Sequence, residues 1–208
     1  MELNAPSPVL HVEQLDFHFA THSVFQGLHQ RFGPGISWLR GANGAGKTTL
    51  LKLAGGALLP ARGTIRLDGI DSGAMPLAYR ALAFYCGGDA PPLPWLQVHE
   101  FLDLHLALYP GSDAALLNAE LDAFALTPTL QQSITSLSLG QHKKLQLALA
   151  LALPVRLLLV DEPFNGLDAA AMAHLRTRLS DPARLARQCI VLTSHLEPQL
   201  PLAATVEI

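Results

Sequence analysis

The sequence predicts an α/β fold: a phosphate-loop core with an N-terminal antiparallel β subdomain and an inserted helical subdomain. Three observations predict it. A short apolar run, Gly35-Ile36-Ser37-Trp38-Leu39-Arg40, leads straight into a glycine-rich loop and then into a segment with helical spacing. Two later apolar runs, Leu157 to Val160 and Cys189 to Thr193, each end in polar residues. Between these two halves lies a Leu/Ala-rich block whose apolar residues recur at helical intervals.

Val9 to Phe19 alternates loosely through Val12, Leu15, Phe17 and Phe19 and reads as a strand; Val24 to Phe32 is a second, after a polar break. Two consecutive early strands suggest an antiparallel edge. Lys47 to Leu53 is spaced as a helix. Gly63 to Leu67 reads as a strand before the turn Asp68-Gly69, and Ala81 to Tyr85 as another before Gly87-Gly88. From Gln97 the texture changes. Leu96 to Leu108, Ala114 to Leu126 and Gly140 to Leu153 read as helices, which puts the helical subdomain at about 90–152. After Pro154 the pattern returns to strand (Leu157 to Val160), helix (Ala169 to Leu179) and strand (Cys189 to Thr193). A single domain over 1–208 accounts for the length, and no internal repeat divides it.

Half of the residues are hydrophobic and 15% are charged, which supports a sizeable core and argues against a disordered chain. The net charge is −3 and no basic run is longer than Lys143-Lys144, so nucleic acid is not an expected partner. Cys86 and Cys189 stand far apart, outside any Cys-x-x-Cys pair, and a reducing cytosol fits them. The start of the chain lacks the basic and apolar regions of a secretory signal. The most apolar stretch, Leu145 to Val160, is interrupted by Gln146, Pro154 and Arg156 and falls short of a spanning helix, so membrane association is expected through a partner. His18, His22, His99, His105 and His142 show no metal-binding spacing and read as surface; Lys143-Lys144 reads as a solvated face.

The chemistry concentrates at three strand ends. Gly41-Ala42-Asn43-Gly44-Ala45-Gly46-Lys47-Thr48, followed by Thr49, fits G-x-x-x-x-G-K-[ST] at every fixed position. Its glycines let backbone N–H groups turn inward around phosphate oxygens, and the next helix adds the positive end of its dipole. Lys47 is the candidate for the β- and γ-phosphates, and Thr48 offers a hydroxyl to Mg²⁺. Leu157 to Val160 delivers Asp161 and Glu162. Alone, that pair fits a solvated turn; behind a phosphate loop, Asp161 becomes the Mg²⁺ acid and Glu162 the group that polarises the attacking water. Cys189 to Thr193 delivers Ser194 and His195, and an imidazole there can donate a hydrogen bond to a γ-phosphate oxygen.

With these motifs in this order, the sequence resembles the ABC-type nucleotide-binding domains from about Val9 to His195. Leu137-Ser138-Leu139-Gly140-Gln141 resembles the LSGGQ signature that opens a helix in that family, and it equally describes a Ser N-cap before an apolar helix. The resemblance implies an ABC-type P-loop NTPase core that binds and hydrolyses ATP with Mg²⁺. It also implies a head-to-tail dimer with two ATP molecules at the seam. Ser138, Gly140 and Gln141 of one copy would complete the other copy's site, and Asp168 would lie at the seam. Phe19 matches the aromatic that stacks on adenine; Phe17 competes, and either also fits plain core. Two positions depart from the family pattern. Leu139 replaces a glycine, and the stretch Gly87-Gly88-Asp89-Ala90 stands where the family places a glutamine that touches Mg²⁺. Asp89 is therefore a candidate oxygen ligand or water holder.

The function so implied is the cytoplasmic motor of an ABC transporter, peripheral on the inner face of the membrane through a separate integral membrane permease. The alternatives are a soluble relative working on DNA or ribosomes, and a P-loop kinase or GTPase. The chain shows neither a long coiled coil before the signature nor a second cassette, and a kinase would lack Leu137 to Gln141. Glu162-Pro163-Phe164 and Leu200-Pro201-Leu202-Ala203-Ala204 are similar to the small ATPases of the haem-exporter type used in cytochrome c maturation.

Overall fold

A computed structural model of the chain describes residues 9–88 and 93–208. The strands are Leu10–Phe19 (β1), His22–Phe32 (β2), Gly35–Arg40 (β3), Arg62–Leu67 (β4), Ile70–Asp71 (β5), Ala83–Cys86 (β6), Leu157–Val160 (β7), Cys189–Thr193 (β8) and Leu202–Glu207 (β9). The helices are Lys47–Ala54 (α1), Pro76–Arg80 (α2), Val98–Leu108 (α3), Ala114–Ala123 (α4), Leu139–Ala152 (α5), Ala169–Leu179 (α6) and Pro182–Arg187 (α7).

Two sheets organise the molecule. One is antiparallel, in the order β2-β1-β4-β5; the other has five strands in the order β6-β7-β8-β3-β9, with every pairing parallel. Each residue of β7 and β8 is buried because the pleat sends alternate side chains into two different cores. Leu157, Leu159 and Val191 pack with β1, β2, β4 and α1, whereas Leu158, Val160, Ile190 and Leu192 pack with α3, α4, α5 and α6. That double burial explains why both strands read as unbroken apolar runs. The same parallelism brings the C-terminal ends of β3, β7, β8 and β6 to one sheet edge, where the phosphate loop and the acidic and histidine tips emerge.

Helices α3, α4 and α5 fall between β6 and β7 in the chain. Gln97 and Glu100 form a reciprocal capping box that starts α3, and Ser138 and Gln141 form another that starts α5. The block is joined to α6 by a buried carboxylate. Glu120 of α4, 2% exposed, accepts from Arg178 Nε at 2.6 Å and lies 2.7 Å from His174 Nε2.

Several local expectations give way. Ala81 is not strand but the C-cap of α2, whose first residue, Pro76, carries the preset helical φ. α4 stops at Ala123, short of Leu126, because Ala125 turns left-handed at φ 56°. His18 and His22 are exposed as expected, but His99, His105 and His142 are half-buried. His99 Nδ1 lies 3.1 Å from the Leu130 carbonyl and His105 Nδ1 2.8 Å from that of Phe101. Burial lowers the pKa of both His105 and His142 below the usual histidine value.

Candidate functional site

Glycine at position 46 has a local cause. Gly46 is the N-cap of α1 at φ 99°, and an added Cβ would lie 2.7 Å from Val24 Cγ1 and 2.8 Å from Phe25 Cζ. The loop therefore closes tightly over β2 and delivers Lys47 and Thr48 at the first turn of α1. Lys47 Nζ donates to the carbonyls of Gly41 (2.7 Å) and Ala42 (3.0 Å), which holds its ammonium across the loop. Thr48 Oγ1 donates to Asp161 Oδ2 at 2.6 Å, joining the loop to the tip of β7.

Asp161 and Glu162 are held by their neighbours on the sheet edge. Thr193, the last residue of β8, donates its hydroxyl to Asp161 Oδ1 at 2.6 Å and accepts the Glu162 N–H at 2.9 Å. Tyr85 of β6 places its hydroxyl 3.4 Å from Asp161 Oδ2. Glu162 sits at φ 48°, a left-handed backbone that a residue of this type seldom adopts. Its carboxylate accepts from the His195 N–H at 3.3 Å and from Asn165 Nδ2 at 3.4 Å, and the His195 ring nitrogen Nε2 stands 3.7 Å away. The turn that carries His195 is anchored to β3, because Trp38 Nε1 donates to the Ser194 carbonyl at 3.2 Å.

The loop, the acidic tip and the histidine tip border one cleft of about 420 Å³. Phe19, His22 and Val24 form one wall; Asn43, Gly44, Gly46, Lys47, Thr48 and Thr49 the floor; Asp161, Glu162 and His195 the far side. Gly41, Ala42 and Ala45 complete the loop. The two phenylalanines differ in position: Phe17 is buried at 8%, whereas Phe19 is 44% exposed, stacks edge-on against Phe17 at 5.0 Å and faces the cleft. Phe19→Ala is expected to weaken ATP binding by about 1–3 kcal/mol, the usual worth of an aromatic platform under a base. Titration with a fluorescent ATP analogue measures it, and an unchanged affinity would remove Phe19 from the site.

Ser138, Gly140, Gln141 and Asp168 are not in this cleft. Ser138 Oγ accepts the Gln141 N–H at 3.2 Å and caps α5, and Asp168 accepts the Ala171 N–H at 2.9 Å and caps α6. Asp89 lies outside the described residues. Sequence reasoning missed Tyr85, Thr193, His22 and Lys143. Thr193 was visible as a polar strand tip, and the other three carried no spacing signal. The Lys143-Lys144 pair is the main correction: it is no solvated face. Lys143 is half-buried and donates to the carbonyls of Asp161 and Glu162, while Lys144 pairs with Asp168 at 2.5 Å.

Comparison with known proteins agrees with this geometry. Residues 34–165 match the ABC transporter family. The chain is 34% identical over 200 residues to the cytochrome c biogenesis ATP-binding export protein CcmA of Cupriavidus necator, covering 93% of this chain and 86% of the relative. It is 35% identical over 168 residues to the taurine import ATP-binding protein TauB of Burkholderia pseudomallei, covering 79% of this chain and 63% of that one. Among solved structures, an ATP-binding subunit of an ABC transporter superposes with a TM-score of 0.82 at 28% identity, over 90% of this chain and 80% of the other. A dimeric ATP-binding cassette in a post-hydrolysis state, bound to ADP and phosphate, shares the fold with a TM-score of 0.75 at 18% identity, over 90% and 88% of the two chains. A phosphate loop, an Asp-Glu strand tip and a histidine tip on one parallel sheet edge, with this similarity across most of the chain, establish that the protein belongs to the ABC transporter family, as one of its ATP-binding subunits.

Proposed function

We propose that the whole chain is one cassette of a head-to-tail dimer that hydrolyses Mg-ATP and drives a separate membrane permease. One observation carries the dimer. The cleft gathers Phe19, most of the phosphate loop, Asp161, Glu162 and His195, whereas Ser138, Gly140 and Gln141, whose turn opens α5, and Asp168 lie outside it. A second copy, turned head to tail, offers that turn to the first copy's γ-phosphate.

In this reading adenine stacks on Phe19, and the loop N–H groups hold the phosphates. Lys47 exchanges its two loop carbonyls for β- and γ-phosphate oxygens. Thr48 and Asp161 fit a hard divalent cation: both present oxygen, and the two atoms already lie 2.6 Å apart. Among the described residues no group of three or more His, Cys, Asp or Glu forms a metal cage, so phosphate oxygens and water would complete the shell. When bound, Mg²⁺ neutralises charge that builds on the phosphates. Glu162 takes the proton of the attacking water as its oxygen bonds to the γ-phosphorus. The bond to the bridging oxygen breaks, leaving ADP and phosphate, while His195 donates to a γ-phosphate oxygen.

Among the described residues no helix is long and apolar enough to cross a membrane. In this reading the motor works through a separate permease on the cytoplasmic face, which the transporter relatives support. CcmA is named for export and TauB for import, so both directions of transport occur among relatives of this one cassette. Cargo and direction belong to the membrane partner.

Complementation tests the shared site. Lys47→Ala ruins the cradle and Ser138→Arg ruins the lid, so each homodimer is expected to be inactive. Mixing them produces dimers in which an intact Lys47 cradle faces an intact Ser138 turn, and phosphate release returns. Failure of the mixture to exceed either variant alone would rule out a site built from two copies.

A further inference from the structure

Residues 161–168 carry Asp161 and Glu162 and run from the end of β7 to the N-cap of α6. This segment is tied at both ends to a single turn of α5. Lys143 Nζ donates to the Glu162 carbonyl and, at 3.5 Å, to that of Asp161, while Lys144 Nζ pairs with the Asp168 carboxylate at 2.5 Å. Between the two ties the backbones approach closely: a Cβ on Gly140 would lie 3.4 Å from the Gly166 carbonyl oxygen. The α5 turn that makes these contacts is the continuation of the Ser138 cap.

The Lys143 contact is made to main chain, at a residue whose backbone is left-handed. The Glu162 peptide is fixed on its N–H side by Thr193 of β8 and on its carbonyl side by Lys143 of α5. A non-glycine residue at φ 48° persists only when its surroundings over-determine it. A compact ammonium with several donors can bridge two successive carbonyls in this way. Burial lowers the Lys143 pKa below the usual lysine value, opposed by Cys86, Asp161 and Glu162.

We propose that Lys143 is a positioning residue that couples the two ATP sites: it links the Ser138 turn, which faces the partner's nucleotide, to the Glu162 peptide, which faces the chain's own. Lys144 and Asp168 form a second strut of the same linkage. When the Ser138 turn closes on ATP in the partner, α5 carries Lys143 with it and sets the Glu162 carboxylate for the water on its own side. The inference rests on the head-to-tail reading above and goes beyond it, since a shared site needs no link from one site to the other.

The test is Lys143→Met, which keeps the aliphatic stem and removes the ammonium. ATP affinity, steady-state hydrolysis and thermal stability are measured together. The expected result is a fall in kcat of about tenfold with KM for ATP within about twofold, and a Hill coefficient that falls from near two toward one. Lys143→Arg, which keeps paired donors, is expected to retain the cooperativity. An unchanged kcat and Hill coefficient would overturn the proposal. So would a loss of kcat that merely follows lost stability and lost ATP affinity. Should Lys143→Met fail to fold, Lys144→Met is read in the same assays, and it must lower the Hill coefficient for the proposal to stand. Glu162→Gln separates the two readings. If that variant dimerises in Mg-ATP while Lys143→Met hydrolyses cooperatively, only the coupling fails; if it stays monomeric, the dimer and the coupling fall together.

Discussion

Glu162→Gln is expected to lower steady-state ATP turnover by about 10²- to 10⁴-fold, the usual contribution of a positioned general base. Glutamine matches glutamate in volume and keeps an oxygen for the N–H groups of His195 and Asn165, which now reach the carboxylate at 3.3 and 3.4 Å. The pinned peptide and the phosphate loop are untouched and the cleft keeps its volume, so nucleotide binding survives. Only the capacity to take a proton from water is lost. ATP then stays intact between two copies, and the variant accumulates as a dimer, because a ligand that binds the closed state holds the population there. Phosphate release gives the rate and light scattering at saturating Mg-ATP gives the mass. Retention of turnover within tenfold of wild type would contradict the role given to Glu162, and a variant that remains monomeric would contradict the shared site.

Glu120→Ala carries the largest expected effect on stability, roughly 3–5 kcal/mol, the cost of breaking a buried pair by removing one partner. Glu120 is 2% exposed and holds two basic groups of α6 at once, Arg178 at 2.6 Å and His174 at 2.7 Å. Truncation leaves the Arg178 guanidinium without its acceptor and opens space between α4 and α6. Since the Arg178 side chain is 26% exposed, water recovers part of its solvation, which places the effect toward the lower end of that range. For a domain of this size the melting temperature is expected to fall by roughly 10 °C. Neither Glu120 nor its partners line the ATP cleft, so affinity for ATP is expected to hold below the new transition. Urea denaturation measures the loss, and a change below about 1 kcal/mol would show that the ion pair contributes little net stability.

Most of the site was legible because its chemistry is carried by strand ends. An apolar run long enough to be a buried strand, closed by Asp161-Glu162 or by Ser194-His195, announces both the strand and the side chains that it delivers. The phosphate loop is legible for a related reason, since its glycines are required by backbone geometry rather than by partners elsewhere. What could not be read depends on tertiary contact. The acceptors of Lys143 are main-chain carbonyls, which leave no mark on residue types. Lys144 and Asp168 are 24 residues apart with nothing in their spacing to pair them. Strand β9 hides for another reason: it is an edge strand with mostly exposed side chains, so Leu202–Glu207 shows no alternation. Helix α7 buries none of its residues and has no apolar stripe, although Asp181 before Pro182 is a usable start signal. The α2 helix is five residues long, too short for periodicity to register.

The left-handed turn at Glu162 sets durability against turnover at a single position. A conformation of this kind costs about 1–3 kcal/mol, and the chain bears it without nucleotide in place. Asparagine or glycine would sit there with less strain, but neither can serve as the base. Under the role proposed for Glu162, a substitution that relieved the turn would yield a sturdier protein that no longer fires.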